Sequence, residues 1–356
     1  MSYINIFSIK NSKWDEIVSS FSNYDVYWLS GYVKAFEING DGQASLLYYS
    51  SERLRAIYVF MKRDISKSNI FSNDLKKNTY YDLISPYGYG GFLFDGEITD
   101  VNLKDFNTSY ISFMKHENIV SNFVRYHPMI KNSLEMGKIS NVINLGNTIS
   151  MDLSSKEIIW KNIIPKNRNV IRKAEKNGVV IKHSKDMSLF DPFMKIYNAT
   201  MDYDKAEDYY YFDQSFYKSI HEDLHDNYEM FYAEYEGKII AMSLIIFANN
   251  KMHYHLSASI YEYRRLAPTN LLLYKAACWG SSQGVKTFHL GGGVGSGEDS
   301  LYKFKKAFNR NSNEQFSIGK EVYNKEVYDF LIKIRLEKDK NFNKESTFFP
   351  LYRENL

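Results

Sequence analysis

The chain is poor in the features that usually announce a function. Of its 356 residues only one is a cysteine, Cys278, which excludes an internal disulfide framework and a cysteine-rich zinc site. Cys278 falls in an apolar helical run between Ala277 and Trp279 and reads as a buried structural thiol. Charge of either sign is hardly in excess: the formal net charge is +3, too little for wholesale wrapping of nucleic acid, so no DNA partner is expected. The longest apolar run, Ile239–Phe247, is broken by Ser243 and falls far short of a membrane span. Membrane contact is therefore expected to be peripheral at most. The opening residues MSYINIFSIKNSKW lack the basic start and apolar stretch of a cleavable signal, and the cytoplasm is the expected location.

What is present is length, which suits two domains of ordinary size, and tyrosine. The 30 Tyr and 24 Phe residues suit half-buried strands and wet clefts, although codon usage favouring Tyr, Asn, Lys and Ile would give the same richness. Residues 12–21 and 28–36 read as short amphipathic helices. Strands are expected over Ala44–Tyr49 and Leu54–Met61, then a polar loop over 62–78, a helix over 101–116 and a strand over Ile119–Arg125. A second series begins with a strand over Asn147–Leu153 and a capping-box spacing at Ser154-Ser155-Lys156-Glu157. A helix over 166–177 should stop at Gly178, a strand follows over Val179–His183, and helices lie near 187–202 and 213–225. The alternating runs Tyr228–Tyr235, Lys238–Phe247 and Lys251–Ser257 turn at Glu236-Gly237 and Asn249-Asn250, a pattern of antiparallel hairpins. A helix over Pro268–Ser282 and a strand over Val285–Leu290 complete an α/β unit with a mixed sheet.

Several places could carry chemistry. A helix starting at Pro268 would present unpaired N–H groups to an anion, with Arg265, Thr269 and Asn270 beside it. No glycine relieves that loop, so a plain strand–helix connection is the competing account. In the preceding strand, alternation places His253, His255 and Ser257 on one face, and His255, nearer the helix mouth, is the better candidate base. An H-x-H pair can bind a metal, yet no third ligand of convincing spacing accompanies it, and no metal is expected. The run HLGGGVGSGEDS (289–300), including Gly292, fits neither a Walker loop nor a Rossmann fingerprint and reads as a mobile loop over a substrate. In the helix after it, Leu301, Phe304 and Phe308 share an apolar face that would fix Lys305 beside the loop. A lysine so placed can steady an oxyanion, at a value of about 3–4 kcal/mol; the alternative is a solvated lysine. Finally, Tyr87-Gly88-Tyr89 and Arg125-Tyr126-His127 could line a cleft or form structural corners, and the basic helix bearing Arg168 and Arg172 could hold phosphate or form a solvated face.

Four segments together resemble the FemAB family of the acetyltransferase (GNAT-like) superfamily: YDLISPYGYGG (81–91), PKNRNVIRKAEKNGVVI (165–181), SIYEYRRLAPTNLLLYKAACWGSSQGVKTFHLGGG (259–293) and LYKFKKAF (301–308). The resemblance implies an α/β protein of two tandem GNAT-like domains, each a mixed, largely antiparallel sheet flanked by helices. The boundaries expected are 1–150, 151–340 with the active site, and a tail over 341–356. It implies an acyltransferase with no tightly bound cofactor, using acyl-CoA or aminoacyl-tRNA as co-substrate, hence tRNA as one partner. The other substrate would be a small-molecule or lipid-linked envelope precursor whose amine becomes an amide. Lys305 would be the catalytic residue, since similar proteins carry a lysine of an F-K motif at the active site, and the acceptor amine would attack the donor directly. No charged coiled-coil insert, which some members use as an arm, is present. The competing class is a non-catalytic glycan-binding protein retaining the GNAT-like fold.

Overall fold

The computed structural model describes residues 2–356. It divides into two compact units, one built from the chain up to Leu145 together with Phe316–Leu356, the other from Gly146–Gln315.

In the first unit, β1 (Tyr3–Ser8), α1 (Trp14–Ser19) and α2 (Ser30–Ile38) precede a long hairpin of β2 (Gln43–Ser50) and β3 (Leu54–Asp64). β3 is rich in β-branched and aromatic residues and buried along nearly its whole length, the signature of a strand covered on both faces. β4 (Tyr81–Ile84) pairs with Met61–Asp64 and β5 (Leu93–Gly96) with Leu54–Ile57, so the two share one edge of β3. α3 (Asp100–His116) is capped by Thr99, whose hydroxyl accepts the Asn102 N–H at 3.2 Å, with Asp100 in the first turn complementing the helix dipole. β6 (Ile119–Arg125) runs parallel to β4, and α4 (Ser133–Met136) follows. The core of this unit is aromatic: Phe92 meets Phe106 and Tyr110 edge-on, each at 5.0 Å between ring centres.

The chain enters the second unit within β7 (Val142–Asp152), then forms α5 (Lys156–Asn162), α6 (Pro165–Lys176), β8 (Val180–Ser184), α7 (Phe190–Asp204) and α8 (Gln214–Asp223). β9 (Tyr228–Tyr235), β10 (Lys238–Ala248) and β11 (Lys251–Ser259) form the antiparallel meander, and α9 (Pro268–Ser282), β12 (Thr287–Gly291) and α10 (Ser300–Lys306) complete the unit. Both meander turns take left-handed backbone at both central residues, Glu236-Gly237 and Asn249-Asn250, which matches the twist of the flanking strands. The strand order is β7-β12-β11-β10-β9-β8, and only β11 with β12 is parallel. Leu272, Leu273, Ala276 and Ala277 of α9 bury their side chains with Met252, Phe288 and Ile171. The cap of α5 is Ser155, whose Oγ accepts the Ile158 N–H at 3.2 Å. Ser154 bonds Asp152 instead, so the capping serine lies one residue beyond the one the spacing suggested.

The expected boundary at 340 and the tail at 341–356 are corrected by the return of the chain. β13 (Glu314–Val322) pairs antiparallel with β6 through Ile318–Val322, and α11 (Lys325–Lys338) packs in the first unit, with Val327, Leu331 and Ile334 buried beside Tyr352. The last residues are fastened by charge. The carboxylate of Asp82, 0% exposed, receives Nε of Arg63 at 2.6 Å, Nε of Arg353, and the Tyr352 hydroxyl at 3.0 Å. Burial opposes ionisation of Asp82, and the two guanidiniums outweigh it, holding the carboxyl below its ordinary range. Among the described residues no helix is long and apolar enough to cross a membrane.

Asp82→Ala should cost about 3–5 kcal/mol, because two guanidiniums lose their shared counter-charge; the urea midpoint measures it. The contribution of Asp82 is complete above about pH 4 and disappears as acid protonates the carboxyl below that. Wild type and variant should therefore converge in strong acid, and a constant difference down to pH 2 would contradict the pairing.

Candidate active site

The site in the second unit is built around a buried ammonium. Asp299 caps α10: one carboxylate oxygen accepts the Tyr302 N–H at 2.8 Å, the other the Val294 N–H at 3.2 Å. The Tyr302 N–H above all keeps this carboxyl below its usual range. Tyr302 and Phe308 are buried in the core and Phe304 packs against it, whereas Leu301 is 38% exposed. The helix is thus anchored by Tyr302 with the two phenylalanines rather than by Leu301, because the short helix starts at Ser300 and turns residue 301 outward. This anchorage leaves Lys305 only 9% exposed, with Nζ donating to the Gly292 carbonyl at 2.7 Å. Burial pulls its pKa down to about 8, the negative charge of Asp299 partly opposing the fall.

The first three glycines of the run serve close packing, whereas a Cβ at Gly295 would meet nothing within 4 Å. A Cβ at Gly292 would lie 3.0 Å from the Asn147 carbonyl oxygen, and one at Gly293 would lie 2.2 Å from the Gly297 carbonyl oxygen. Gly291, at φ +80°, brings bare backbone to the ammonium: a Cβ there would stand 3.1 Å from Lys305 Nζ.

β11 and β12 pair in parallel only where Lys251–His253 faces Thr287–His289, although β11 runs on to Ser259 and β12 to Gly291. The two strands part just before Gly291 and Gly292, the position of Lys305. Strands that separate in this way release main-chain groups that an extended ligand with amides of its own can bond. Within β11 the expected alternation fails. Leu256 opposes Leu244 while Tyr254 opposes Ile245, leaving His255 as the extra residue of a bulge. Beyond it the faces exchange, so Ser257 bonds Ser243 at 2.9 Å on the side of Tyr254, not of His253. His253 lies against His289, 5.7 Å between ring centres, both buried. Burial, reinforced by His253, drives the His255 imidazole down to about 3, far from the near-neutral value expected of a catalytic base.

α9 begins with Pro268 at its first position, as expected. Its cap is Ala267 in left-handed backbone at φ +52°, preceded by a short 3-10 turn over Tyr261–Leu266. A non-glycine residue in that region is strained. Arg265 is exposed and Thr269 half-buried in the first turn. Asn270 Nδ2 donates to Asn167 Oδ1 at 2.8 Å, tying the first turn of α9 to that of α6. Asn167 is buried, and its Nδ2 meets no partner among the described residues. On α6, Arg168 is half-buried, and Arg172 lies over the Trp160 ring at 4.9 Å.

The first-unit candidates form a cluster of their own. Tyr89 meets Tyr27 and His127 edge-on at 5.4 and 5.5 Å, and the Tyr87 carbonyl accepts the Tyr32 hydroxyl. At Gly88, φ +93°, a Cβ would fall 2.7 Å from the Tyr27 ring. His127 is fully buried: Nε2 lies 3.2 Å from Asp25 Oδ2, and Nδ1 accepts the Ile130 N–H at 3.2 Å. Arg125 donates its backbone N–H to Ser85 Oγ at 3.0 Å and stacks over Phe123 at 5.0 Å. His127 is thus a buried ring whose nitrogens face Asp25 and the Ile130 N–H. Asp25, Asp299, Gly291 and the Asn167–Asn270 pair were not anticipated. Of these only Asp299 left a signal, as the Asp-Ser preceding an apolar-periodic run.

Residues 165–306 match the family model of the acetyltransferase (GNAT) domain. No curated protein matches the chain in sequence. Among solved structures, FemX is 15% identical with a TM-score of 0.67, covering 92% of this chain and 99% of its own. The C-terminal domain of an Agrobacterium fabrum protein assigned as a lysylphosphatidylglycerol synthetase is 12% identical with a TM-score of 0.54, covering 90% and 95%. A Bacteroides thetaiotaomicron protein of unknown function is 11% identical with a TM-score of 0.55, covering 90% and 100%. The chain thus shares the fold of FemX, and residues 165–306 of its second unit match the acetyltransferase (GNAT) domain.

Because folding lowers the Lys305 pKa to about 8, the unfolded chain binds more protons between that value and about 10.4. Stability should therefore rise with pH across this window, by about 3 kcal/mol for a shift of this size. Lys305→Met should lose that rise in urea titrations from pH 7 to 10.5, and an unchanged slope would place the ammonium in water.

Proposed function

We propose that the second unit transfers an acyl or aminoacyl group to an amine of a cell-envelope precursor, an amino sugar or a muropeptide side chain, from acyl-CoA or aminoacyl-tRNA. The observation that carries the reading is the Lys305 ammonium, buried at the Gly292 carbonyl where β11 and β12 have parted. The neutral acceptor amine attacks the donor carbonyl carbon, forming a C–N bond and placing negative charge on the carbonyl oxygen. Lys305, protonated below about pH 8, faces that charge in a site poor in water, where a fixed cation acts most strongly. The intermediate collapses with loss of the C–S bond of a thioester or the C–O bond of an aminoacyl ester. The proton lost by the amine balances the departing thiolate or alkoxide. With its basicity so depressed, His255 has no proton-accepting role in this scheme.

The N-terminus of α9 would receive the donor's phosphate, with Arg265, Thr269 and the buried Asn167 amide at hand. The lack of glycine in that connection favours the second reading, a glycan-binding protein that keeps the fold without the reaction. The acceptor class rests on the likeness to FemAB-type proteins. It is in keeping with the fold shared with the C-terminal domain of a protein assigned as a lysylphosphatidylglycerol synthetase.

Lys305→Ala should lower turnover by about 10²–10³-fold in a protein that still unfolds cooperatively. The measurement is amine-dependent thiol release from acetyl-CoA, or amine-dependent deacylation of aminoacyl-tRNA. Wild-type turnover in the variant would remove the assignment. Thermal stabilisation by glycans with no effect of either donor would establish the binding protein instead.

A further inference from the structure

The ion cluster that fastens the C-terminal segment has more positive charge than it needs. Arg63 and Arg353 both spend their Nε on Asp82, so one carboxylate answers two guanidiniums. The Nη2 atoms of both arginines are buried and meet no partner among the described residues. Buried donors without acceptors are costly and call for an explanation.

Both arginines line a cavity of about 690 Å³ within the first unit, and so do Lys62 and Lys67. Lys62 lies over the Tyr81 ring at 4.1 Å and 3.6 Å from Glu117, too far for a hydrogen bond. Lys67 is exposed on the 3-10 turn Ile65–Lys67. The acidic side chain in the wall, Asp64, is already committed: Oδ1 accepts from the Ser66 N–H at 3.0 Å and Oδ2 from the Asn78 N–H at 3.1 Å. Gly40 and Gly42 also line the cavity. Gly42 has φ +129°, and a Cβ there would stand 2.8 Å from Arg63 Cγ. Only glycine lets that backbone rest on the arginine stem without filling the space above it.

Four cations thus line the cavity, answered by the carboxylates of Asp64, Asp82 and, beside Lys62, Glu117. We infer that it is a binding site for a phosphate or diphosphate group carried by a small molecule. A phosphate anion would supply the acceptors that the two buried Nη2 groups lack. Its tetrahedral oxygens suit guanidinium forks approached from different sides, with ammonium groups as point charges at the rim. The site shares no residue with the Lys305 centre, and its occupancy does not depend on the transfer reaction.

Titration calorimetry of the full chain with inorganic pyrophosphate, inorganic phosphate and citrate, at constant ionic strength, tests the assignment. Pyrophosphate should bind saturably and tighter than citrate, and the comparison with phosphate tells a diphosphate site from a monophosphate one. Lys62→Ala with Lys67→Ala should weaken binding at least tenfold; Lys67→Ala alone, at an exposed position, should weaken it in a chain that folds as before. Arg168→Ala and Lys305→Ala should leave it unchanged, which separates this cavity from a donor phosphate at α9. No binding, binding indifferent to the Lys62 and Lys67 substitutions, or citrate as tight as pyrophosphate would each overturn the inference.

Discussion

A lysine ammonium nearly out of water, held on one backbone carbonyl, is the constraint around which the second unit is organised. An ammonium so placed forfeits hydration that a single hydrogen bond does not replace, and the lowered basicity of Lys305 records the deficit. The surroundings make the arrangement tolerable. Asp299 contributes charge from the helix cap, Gly291 and Gly292 bring bare backbone close, and Tyr302 with Phe308 prevents α10 from rotating the lysine outward. Each of these features is inexpensive alone. Together they fix the cation in place, unlike a charge recruited from solvent.

Local chemistry was legible in proportion to how local it was. The meander of the second unit, its two turns and the start of α9 at Pro268 follow from alternation, turn residues and helix-end rules. The placement of Lys305 could be read from an apolar-periodic segment behind a glycine run, although Tyr302 serves as the anchor in place of Leu301. The His253–His255–Ser257 face was misjudged because one extra residue in a strand reverses every side chain beyond it, and nothing in KMHYHLSAS marks where that residue sits. The solvation of His127 was hidden for another reason: its partner Asp25 is far away in sequence. Long-range pairing also hid β13, whose partner β6 lies on the other side of the whole second unit in the chain.

The two units handle buried charge in opposite ways. Around Lys305 the charge is minimised, to one cation on a neutral carbonyl with a capping carboxylate nearby. Around Asp82 it is accumulated, with two guanidiniums and a tyrosine hydroxyl converging on one carboxylate. A titratable cation near neutrality suits chemistry in which charge appears and disappears. Arginines keep their charge at any physiological pH and suit a fixed structural or binding task.

The return of β13 and α11 also bears on how the protein is made. The second unit is one uninterrupted stretch, whereas the first is assembled from residues that leave the ribosome before it and residues that leave after it. During synthesis the second unit can close its core while β6 still lacks β13, exposing a strand edge and the apolar surface of Ile65, Phe71, Leu75 and Val120 until α11 emerges. Domains commonly complete their folding in order of emergence; here the unit that begins first must finish last, and that interval is when the nascent chain most needs protection from pairing with another.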